Sequence, residues 1–138
     1  MDDRSRALAD RLGAEVVAGR FDAVAPLLAP WLQSATTPAA LRERCSAALG
    51  DLPPPVSWTV DENPSDLATL RQVGPYGPPS AAIPSEITEG NFRDWICLQF
   101  QPDPDNEEGF NVCYDLWVAV VEVEGAFLIG YLEPWEAT

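Results

Sequence analysis

The spacing of apolar residues predicts helices in the N-terminal part of the chain. In residues 3–18, apolar side chains recur at four-residue steps and charged residues fill the other side, which indicates an amphipathic helix. The segment "RFDAVAPLLAPWL" at 20–32 has the spacing of a short second helix. A third helix begins near Thr37, which fits the N-cap before Pro38, and ends at Gly50.

The pattern changes from helical spacing to alternation after three consecutive prolines that begin at Pro53. Alternating positions predict strands at 56–60, 95–101, 112–123 and 127–133, with a tight turn at Glu124–Gly125 between the last two. Helices followed by strands predict an α+β fold, with the helices packed against one face of an antiparallel sheet. Length and apolar content predict a single domain, residues 1–138.

Three segments between these elements are less sharply defined. Residues 61–64 have the composition of a turn. Residues 66–73 favour a strand, although their apolar spacing also fits a helical turn. Residues 74–90 hold four prolines and three glycines, which predicts a long surface loop. Such a loop is either a lid or binding loop or a disordered connection.

The segment "CYDLWVAVVEV" at 113–123 is largely apolar on both of its alternating faces. One face carries Tyr114, Leu116, Val118 and Val120, and the other carries Cys113, Asp115, Trp117, Ala119, Val121 and Val123. Because a strand with one exposed face alternates apolar with polar residues, we expect the second face to be covered too. A curled sheet, a lid or another subunit would serve as the cover, and the covered face is a candidate pocket.

Asp115 lies within this apolar strand and is therefore the first candidate for chemistry. In a pocket, desolvation raises the pKa of a carboxyl group, and a general base works best when its pKa lies near the operating pH. The alternative is a structural position near the mouth of the strand, where Asp115 is solvated or bonded to the 102–111 loop. The sequence leaves both interpretations open.

Charge and hydropathy limit the partners. The chain has 22 acidic and 8 basic residues and a net charge of −14, which repels phosphate backbones, so no nucleic acid is expected. The same charge would attract a basic protein, or would simply favour solubility. No apolar run is long enough for a bilayer span and the N-terminus lacks the apolar segment of a signal peptide, which predicts a cytoplasmic protein with no membrane partner.

Motifs for metals and cofactors are absent from the sequence. The lack of histidine and of the common nucleotide-binding motifs argues against catalytic triads, nucleotide chemistry and a mixed zinc site. The acidic loop "QPDPDNEEGFN" departs from a calcium-binding EF-hand, since Glu108 and Tyr114 stand where glycine and glutamate are required. Cys45, Cys97 and Cys113 lack CxxC spacing and are expected to be reduced structural thiols. We expect no metal and no cofactor.

The helices containing "GRFDAVAPLLAPWL" and the terminal hairpin "WVAVVEVEGAFLIGYLE" resemble the nuclear transport factor 2-like (NTF2-like, SnoaL-like) superfamily over the whole chain. The resemblance implies a cone in which a curved antiparallel sheet wraps around the helices, a cavity between them, and a homodimer through the sheet. The superfamily includes enzymes and noncatalytic binding proteins, so the fold alone selects neither. Its ketosteroid isomerase-like members use a Tyr and two Asp in the cavity, and Asp115 would match one such position. The histidine of its dehydratase-like members is missing here.

Three functions fit these observations. The first is a noncatalytic NTF2-like domain that binds a small apolar ligand in its cavity or a protein partner on its sheet, with Trp117, Tyr114, Trp95 and Trp58 as candidate ligand-binding residues. The second is a cofactor-free isomerase or lyase with Asp115 as acid or base. The third is an acidic inhibitor or immunity-type protein that binds a basic partner.

Overall fold

Helices form the first part of the chain and strands form most of the rest. The structure is a computed structural model and describes residues 1–50, 54–63, 65–72, 83–103 and 114–135. The helices are α1 (Asp3–Ala18), α2 (Phe21–Val24), α3 (Pro30–Ala35), α4 (Pro38–Leu49) and α5 (Leu67–Gln72), with a 3-10 turn at Ala25–Leu27. The strands are β1 (Pro55–Asn63), β2 (Phe92–Pro102), β3 (Tyr114–Val123) and β4 (Ala126–Trp135). None of the helices in these ranges is long and apolar enough to cross a membrane.

The two long helices, α1 and α4, begin and end where the sequence predicts. Asp2 caps α1 by accepting a hydrogen bond from the Arg4 amide at 2.8 Å, and Gly19 ends the helix in the left-handed conformation. Thr37 caps α4 by accepting a hydrogen bond from the Ala40 amide at 3.1 Å. The capping residues satisfy amides that have no partner within the helix, so local chemistry alone sets both starting points.

The second predicted helix is broken into three pieces. α2 is followed by the 3-10 turn and then by α3, with Leu28 and Ala29 extended between them. Two prolines cause the breaks, because Pro26 and Pro30 cannot donate the hydrogen bonds that a continuous helix needs. The extended residues lie beside β4, where the Ala29 amide donates to the Ile129 carbonyl at 2.8 Å.

The four strands form one antiparallel sheet in the order β1-β2-β3-β4. The α+β class predicted from the sequence is therefore confirmed. The β3–β4 hairpin turns through Glu124 and Gly125, which both have the positive φ that a two-residue hairpin turn requires. The predicted turn at 61–64 is wrong over its first three residues, since β1 continues to pair with β2 as far as Asn63.

One face of the sheet, termed the helix face, packs against α1, α2 and α4. Its core contains Leu12, Val16, Phe21, Leu41 and Cys45 from the helices and Leu98, Phe100, Leu116, Val118 and Val120 from the strands. Trp58 of β1 packs at the side of this core, and its indole N–H donates to Asp10 of α1 at 3.1 Å. The apolar stripes of the helices therefore form one continuous core with Leu116, Val118 and Val120 of β3.

The opposite face of the sheet, termed the outer face, is buried as well. Its core contains Trp95, Cys97, Trp117, Ala119, Val121 and Tyr131 from the strands and Leu67, Leu70, Ile83 and Ile87 from α5 and the 83–91 segment. Trp117 and Val121 are only 4% and 0% exposed. The expectation that β3 is covered on both faces is confirmed, and the chain itself supplies the cover.

The preference for a strand at 66–73 is wrong, because residues 67–72 form α5. Asp66 caps this helix by accepting a hydrogen bond from the Thr69 amide at 2.7 Å. Leu67 and Leu70 lie one turn apart, so both contact the outer face.

Of the predicted 74–90 loop, the described part packs on the sheet. Residues 73–82 lie outside the described residues, as do Cys113 and residues 104–112 of the acidic loop.

Candidate functional site

The outer face changes from apolar to polar along the strands. Residues that pair across neighbouring strands point to the same face, so the register defines rows across the sheet. The first row is Asn63, Trp95, Ala119 and Tyr131; the second is Asp61, Cys97, Trp117 and Glu133; the third contains Thr59, Gln99 and Asp115. The first row lies toward the covered end, whereas the next two carry three carboxylates: Asp61 and Glu133 at the two ends of the second row, and Asp115 on β3 in the third.

These carboxylates, Asp61, Asp115 and Glu133, are termed the acidic patch. No Lys or Arg occurs in β1, β3 or β4, and Arg93 lies at the far end of β2, where it contacts Glu122 and nearby carbonyl groups. Within the described ranges, no ion pair involves a member of the patch. The patch is therefore a region of negative charge without an ion-pair partner among the described residues.

Asp115 is the central member of the patch. Burial raises the pKa of its carboxyl group, and the neighbouring Asp61 carboxylate raises it further. Hydrogen bonds with Gln99 and Cys97 act in the opposite direction and lower the pKa. The Oδ1 atom of Asp115 is buried and accepts no hydrogen bond from the residues that the structure describes. Asp115 therefore offers an unused acceptor in a place without a compensating cation.

A stack of three aromatic rings lies beside the patch. The Trp95 ring stacks on Trp117, with centroids 5.5 Å apart and planes 15° apart, and on Tyr131, at 6.3 Å and 13°. Ala119 pairs with both Trp95 and Tyr131, so its small side chain leaves room for the rings above β3. The Tyr131 hydroxyl donates to Glu133 at 2.6 Å, which connects the stack to the patch.

One arginine holds the cover on the apolar end of the outer face. Arg71 of α5 donates to the carbonyls of Ile83, Pro84 and Ile87 at 3.2, 2.9 and 2.6 Å. Ile87 then packs on the sheet at Gly130, where an added Cβ would lie 3.1 Å from the Ile87 Cδ1 atom. This arrangement fixes the cover over the first row.

The site residues predicted from the sequence do not converge on one cavity. Asp115, Trp117 and Trp95 lie on the outer face, and the last two belong to its buried core. Trp58 packs at the helix face, and the side chain of Tyr114 lies outside the described part of the structure. The sheet therefore separates Trp58 from Asp115, Trp117 and Trp95.

Sequence reasoning missed the three neighbours that define the site, Asp61, Gln99 and Glu133. Asp61 falls in the wrongly predicted turn, and the other two are ordinary polar positions of their strands. Only the strand register places them near Asp115. The apolar alternation of the strands could have been used to align β2 with β1 and β4 with β3, and that alignment would have shown that Asp61, Gln99 and Glu133 share a face with Asp115.

A cavity of about 180 Å³ lies among the helices and is separate from the acidic patch. Apolar side chains, including Phe21, Leu28 and Leu41, form most of its wall, and Gln33 and Thr36 also line it. Pockets for drug-sized ligands usually occupy about 300–1,000 Å³. This cavity therefore has room only for a small molecule, and no carboxylate lines it.

The described ranges contain neither a metal-binding cluster nor a thiol with raised reactivity. No group of three or more His, Cys, Asp or Glu side chains among those residues is arranged to hold a metal ion. Cys45 is a free, buried thiol, and burial raises its pKa to about 11, which suppresses the reactive thiolate. Cys97 is buried as well, next to Asp115 on the outer face.

Comparisons of the chain with protein-family models, with curated proteins and with solved structures gave no match. Function therefore has to be inferred from the chemistry of the molecule. The acidic patch is the place where one buried acceptor, negative charge and partial exposure come together, and it is the candidate functional site.

Proposed function

We propose that this chain is a noncatalytic binding domain whose acidic patch holds a cationic segment of a partner protein. The observation that supports this function is the state of Asp115. Its buried Oδ1 atom accepts no hydrogen bond from the described residues, and burial raises the pKa of the carboxyl group. A guanidinium or ammonium group from a partner, held beside the patch, would supply a compensating charge that favours the ionised carboxyl group.

The distribution of charge favours a basic partner. Asp61 raises the pKa of Asp115 by repulsion between like charges, and the net charge of −14 adds a long-range field of the same sign. A bound cation would relieve this repulsion, so binding is expected to weaken as salt screens the charges. Arginine suits the patch better than lysine, because its planar guanidinium donates two parallel hydrogen bonds to a carboxylate.

A small apolar ligand is less well supported than a protein partner. The cavity of about 180 Å³ that the described residues form is smaller than the usual pocket for a drug-sized ligand, and none of the candidate tryptophans lines it. Trp95 and Trp117 are instead packed against each other and against α5 and the 83–91 segment. The first sequence-based hypothesis is therefore proposed in its protein-binding form, with the basic partner of the third hypothesis.

One observation favours the isomerase or lyase hypothesis: the pKa of Asp115 is raised, as suits a general acid or base. Proton transfer also needs room for a substrate and a second polar group that stabilises the reacting atoms. Trp117 and Cys97 fill the outer face beside Asp115, and the cavity among the helices lies apart from it. Catalysis is therefore the second candidate function.

The NTF2-like cone belongs to the same proposal, and the homodimer is the less favoured alternative to a basic partner. The order of helices and strands supports the cone, as do register shifts near Phe92 and near Gly130, because bulges bend a sheet. In a dimer through the outer face, the second copy would contact the sheet near the acidic patch, since α5 and the 83–91 segment cover the other end. Like charge disfavours that arrangement, so a basic partner is the preferred occupant.

Hexa-arginine is a suitable probe of the patch, because it carries the proposed chemistry without a folded partner. We expect it to bind the protein in low salt, as measured by calorimetry, and to bind several-fold more weakly to Asp61→Asn and Asp115→Asn. Asp22→Asn is the matched control, since this exposed residue of α2 lies on the opposite layer and its substitution removes the same charge. Equal weakening by all three substitutions would show that only net charge matters and would refute the patch.

A further inference from the structure

The two edge strands of the sheet, β1 and β4, differ in the hydrogen bonds that they receive from residues outside the sheet. The β4 edge is covered, because the Ala29 amide donates to the Ile129 carbonyl at 2.8 Å and the Trp31 indole N–H donates to the Gly130 carbonyl at 2.8 Å. β1 pairs with β2 on one side; apart from this ladder, the described residues make one backbone hydrogen bond to β1, from the Ser65 amide to the carbonyl of its last residue, Asn63, at 2.8 Å. β1 is therefore the open edge of the sheet in the part of the chain that the structure describes.

The composition of β1 selects against pairing with a second copy and favours a basic strand. β1 has nine residues, and its only proline is Pro55, at the first position. Open edges are often protected by charged side chains, by β-bulges or by proline, and β1 has a register shift between Pro55 and Ser57 and two exposed carboxylates, Asp61 and Glu62. The Met1 ammonium group pairs with Glu62 at 3.0 Å, which leaves Asp61 as the carboxylate of β1 without an ion pair among the described residues, and Val56 is 52% exposed. Carboxylates on the edge repel an identical acidic chain and attract a cationic one.

The geometry points to β1 as the docking edge for an extended, arginine-containing segment of the partner, which would add to the sheet as a fifth strand. This inference rests on the proposed function for the charge of the partner, and it specifies how the partner binds. Main-chain hydrogen bonds to β1 would supply affinity, as in other cases of strand addition. An added strand would lie about 4.8 Å from β1, which puts its arginine side chains next to Asp61.

Asp61 therefore belongs both to the open edge and to the acidic patch, whereas Asp115 lies two strands further in. An arginine on the added strand would contact Asp61 directly and would feel Asp115 only at longer range. Asp61→Asn is accordingly expected to weaken a strand-forming peptide more than Asp115→Asn does. Hexa-arginine, which need not pair with β1, is expected to respond to both substitutions.

The test uses an eight-residue peptide that alternates valine and arginine, and a twin of the same sequence with every amide N-methylated. The twin keeps the charge but has no main-chain donors. Losing several main-chain hydrogen bonds should weaken binding by roughly tenfold or more. Only the parent peptide should slow amide hydrogen exchange in residues 55–63. The measurements are affinity by calorimetry and exchange by mass spectrometry, both in low salt.

The outcomes separate this inference from the proposed function. If the twin binds as well as the parent and Asp61→Asn weakens both, strand addition is refuted while the acidic patch stands. If neither peptide nor hexa-arginine binds in low salt, both proposals fail. A protein dimer that forms without peptide and protects the same β1 amides would also refute the inference, since a second copy would then occupy the edge.

Discussion

The indole ring of Trp58 lies directly on Gly13, so closely that a Cβ built at position 13 would come within 2.6 Å of three ring atoms. Gly13 is buried in the interior of α1, where glycine costs about 1 kcal/mol of helix stability relative to alanine. The residue is therefore unfavourable locally but allows α1 to approach β1. Glycine at position 13 lowers the stability of α1 but allows close packing between α1 and the sheet.

Gly13→Ala is expected to lower the free energy of unfolding by about 1–2 kcal/mol, because overpacking a filled contact costs more than the gain in helix propensity. In a Trp58→Ala background the ring is gone, and the same substitution should stabilise the protein by up to about 1 kcal/mol. Urea unfolding of the four proteins measures this reversal of sign. A Gly13→Ala effect of equal sign and size in both backgrounds would contradict the contact.

Arg71→Lys is expected to loosen the cover on the outer face while leaving the rest of the fold intact. An ammonium group cannot reproduce the fork of donors that Arg71 directs at three carbonyls. Losing one charge-assisted bond of about 1.5–3 kcal/mol should speed amide exchange in 83–91 by roughly tenfold to a hundredfold. Arg11→Lys, at an exposed position of α1, is the control and should leave that exchange unchanged. Unaltered protection in Arg71→Lys would mean that apolar packing alone holds the segment.

Asp115→Asn is expected to stabilise the free protein at pH 7. Burial raises the folded-state pKa of Asp115 above its ordinary value of 3.8, so the folded protein binds the proton more tightly than the unfolded chain does. The contribution of this group is then fully present below the ordinary pKa and is lost as the pH rises through the folded pKa. Asparagine stays neutral, so its advantage should be largest at pH 7 and should disappear in acid.

Urea unfolding at pH 7 and at pH 3.5 checks this sign, with Asp22→Asn as the exposed control. A site that destabilises the free protein and strengthens binding is characteristic of a functional position. If Asp115→Asn is less stable than the wild type at pH 7, the carboxylate is well satisfied in the free protein and the proposed binding role loses its support.

Local chemistry in the sequence predicts the caps of α1 and α4 well, because Asp2 and Thr37 satisfy amides within their own first turns. It fails at 66–73, where a window of eight residues cannot separate a strand from a helical turn. Asp66 was the available signal, since an Asp before Leu67 and Leu70 can cap a short helix. Burial of those leucines on the outer face then stabilises a helix that would be too short to form alone.

The burial of both faces of β3 follows from its alternation, but the identity of the cover does not. Trp117 and Val121 predict from the sequence that this face of β3 is covered. The residues that cover it belong to α5 and the 83–91 segment, which are distant from β3 in the sequence. The same limit applies to the site. Asp115 stands out in an apolar strand, while Asp61 and Glu133 become its neighbours only through strand register.

The binding role of Asp115 can be measured by titrating its carboxyl carbon by nuclear magnetic resonance, with and without saturating hexa-arginine. The midpoint should lie above the ordinary value of 3.8 in the free protein, because burial and Asp61 disfavour the charge. Bound guanidinium groups should lower the midpoint, since a cation favours the ionised form. A midpoint at the ordinary value that hexa-arginine leaves unmoved would show that Asp115 is neither perturbed nor part of a cation-binding patch.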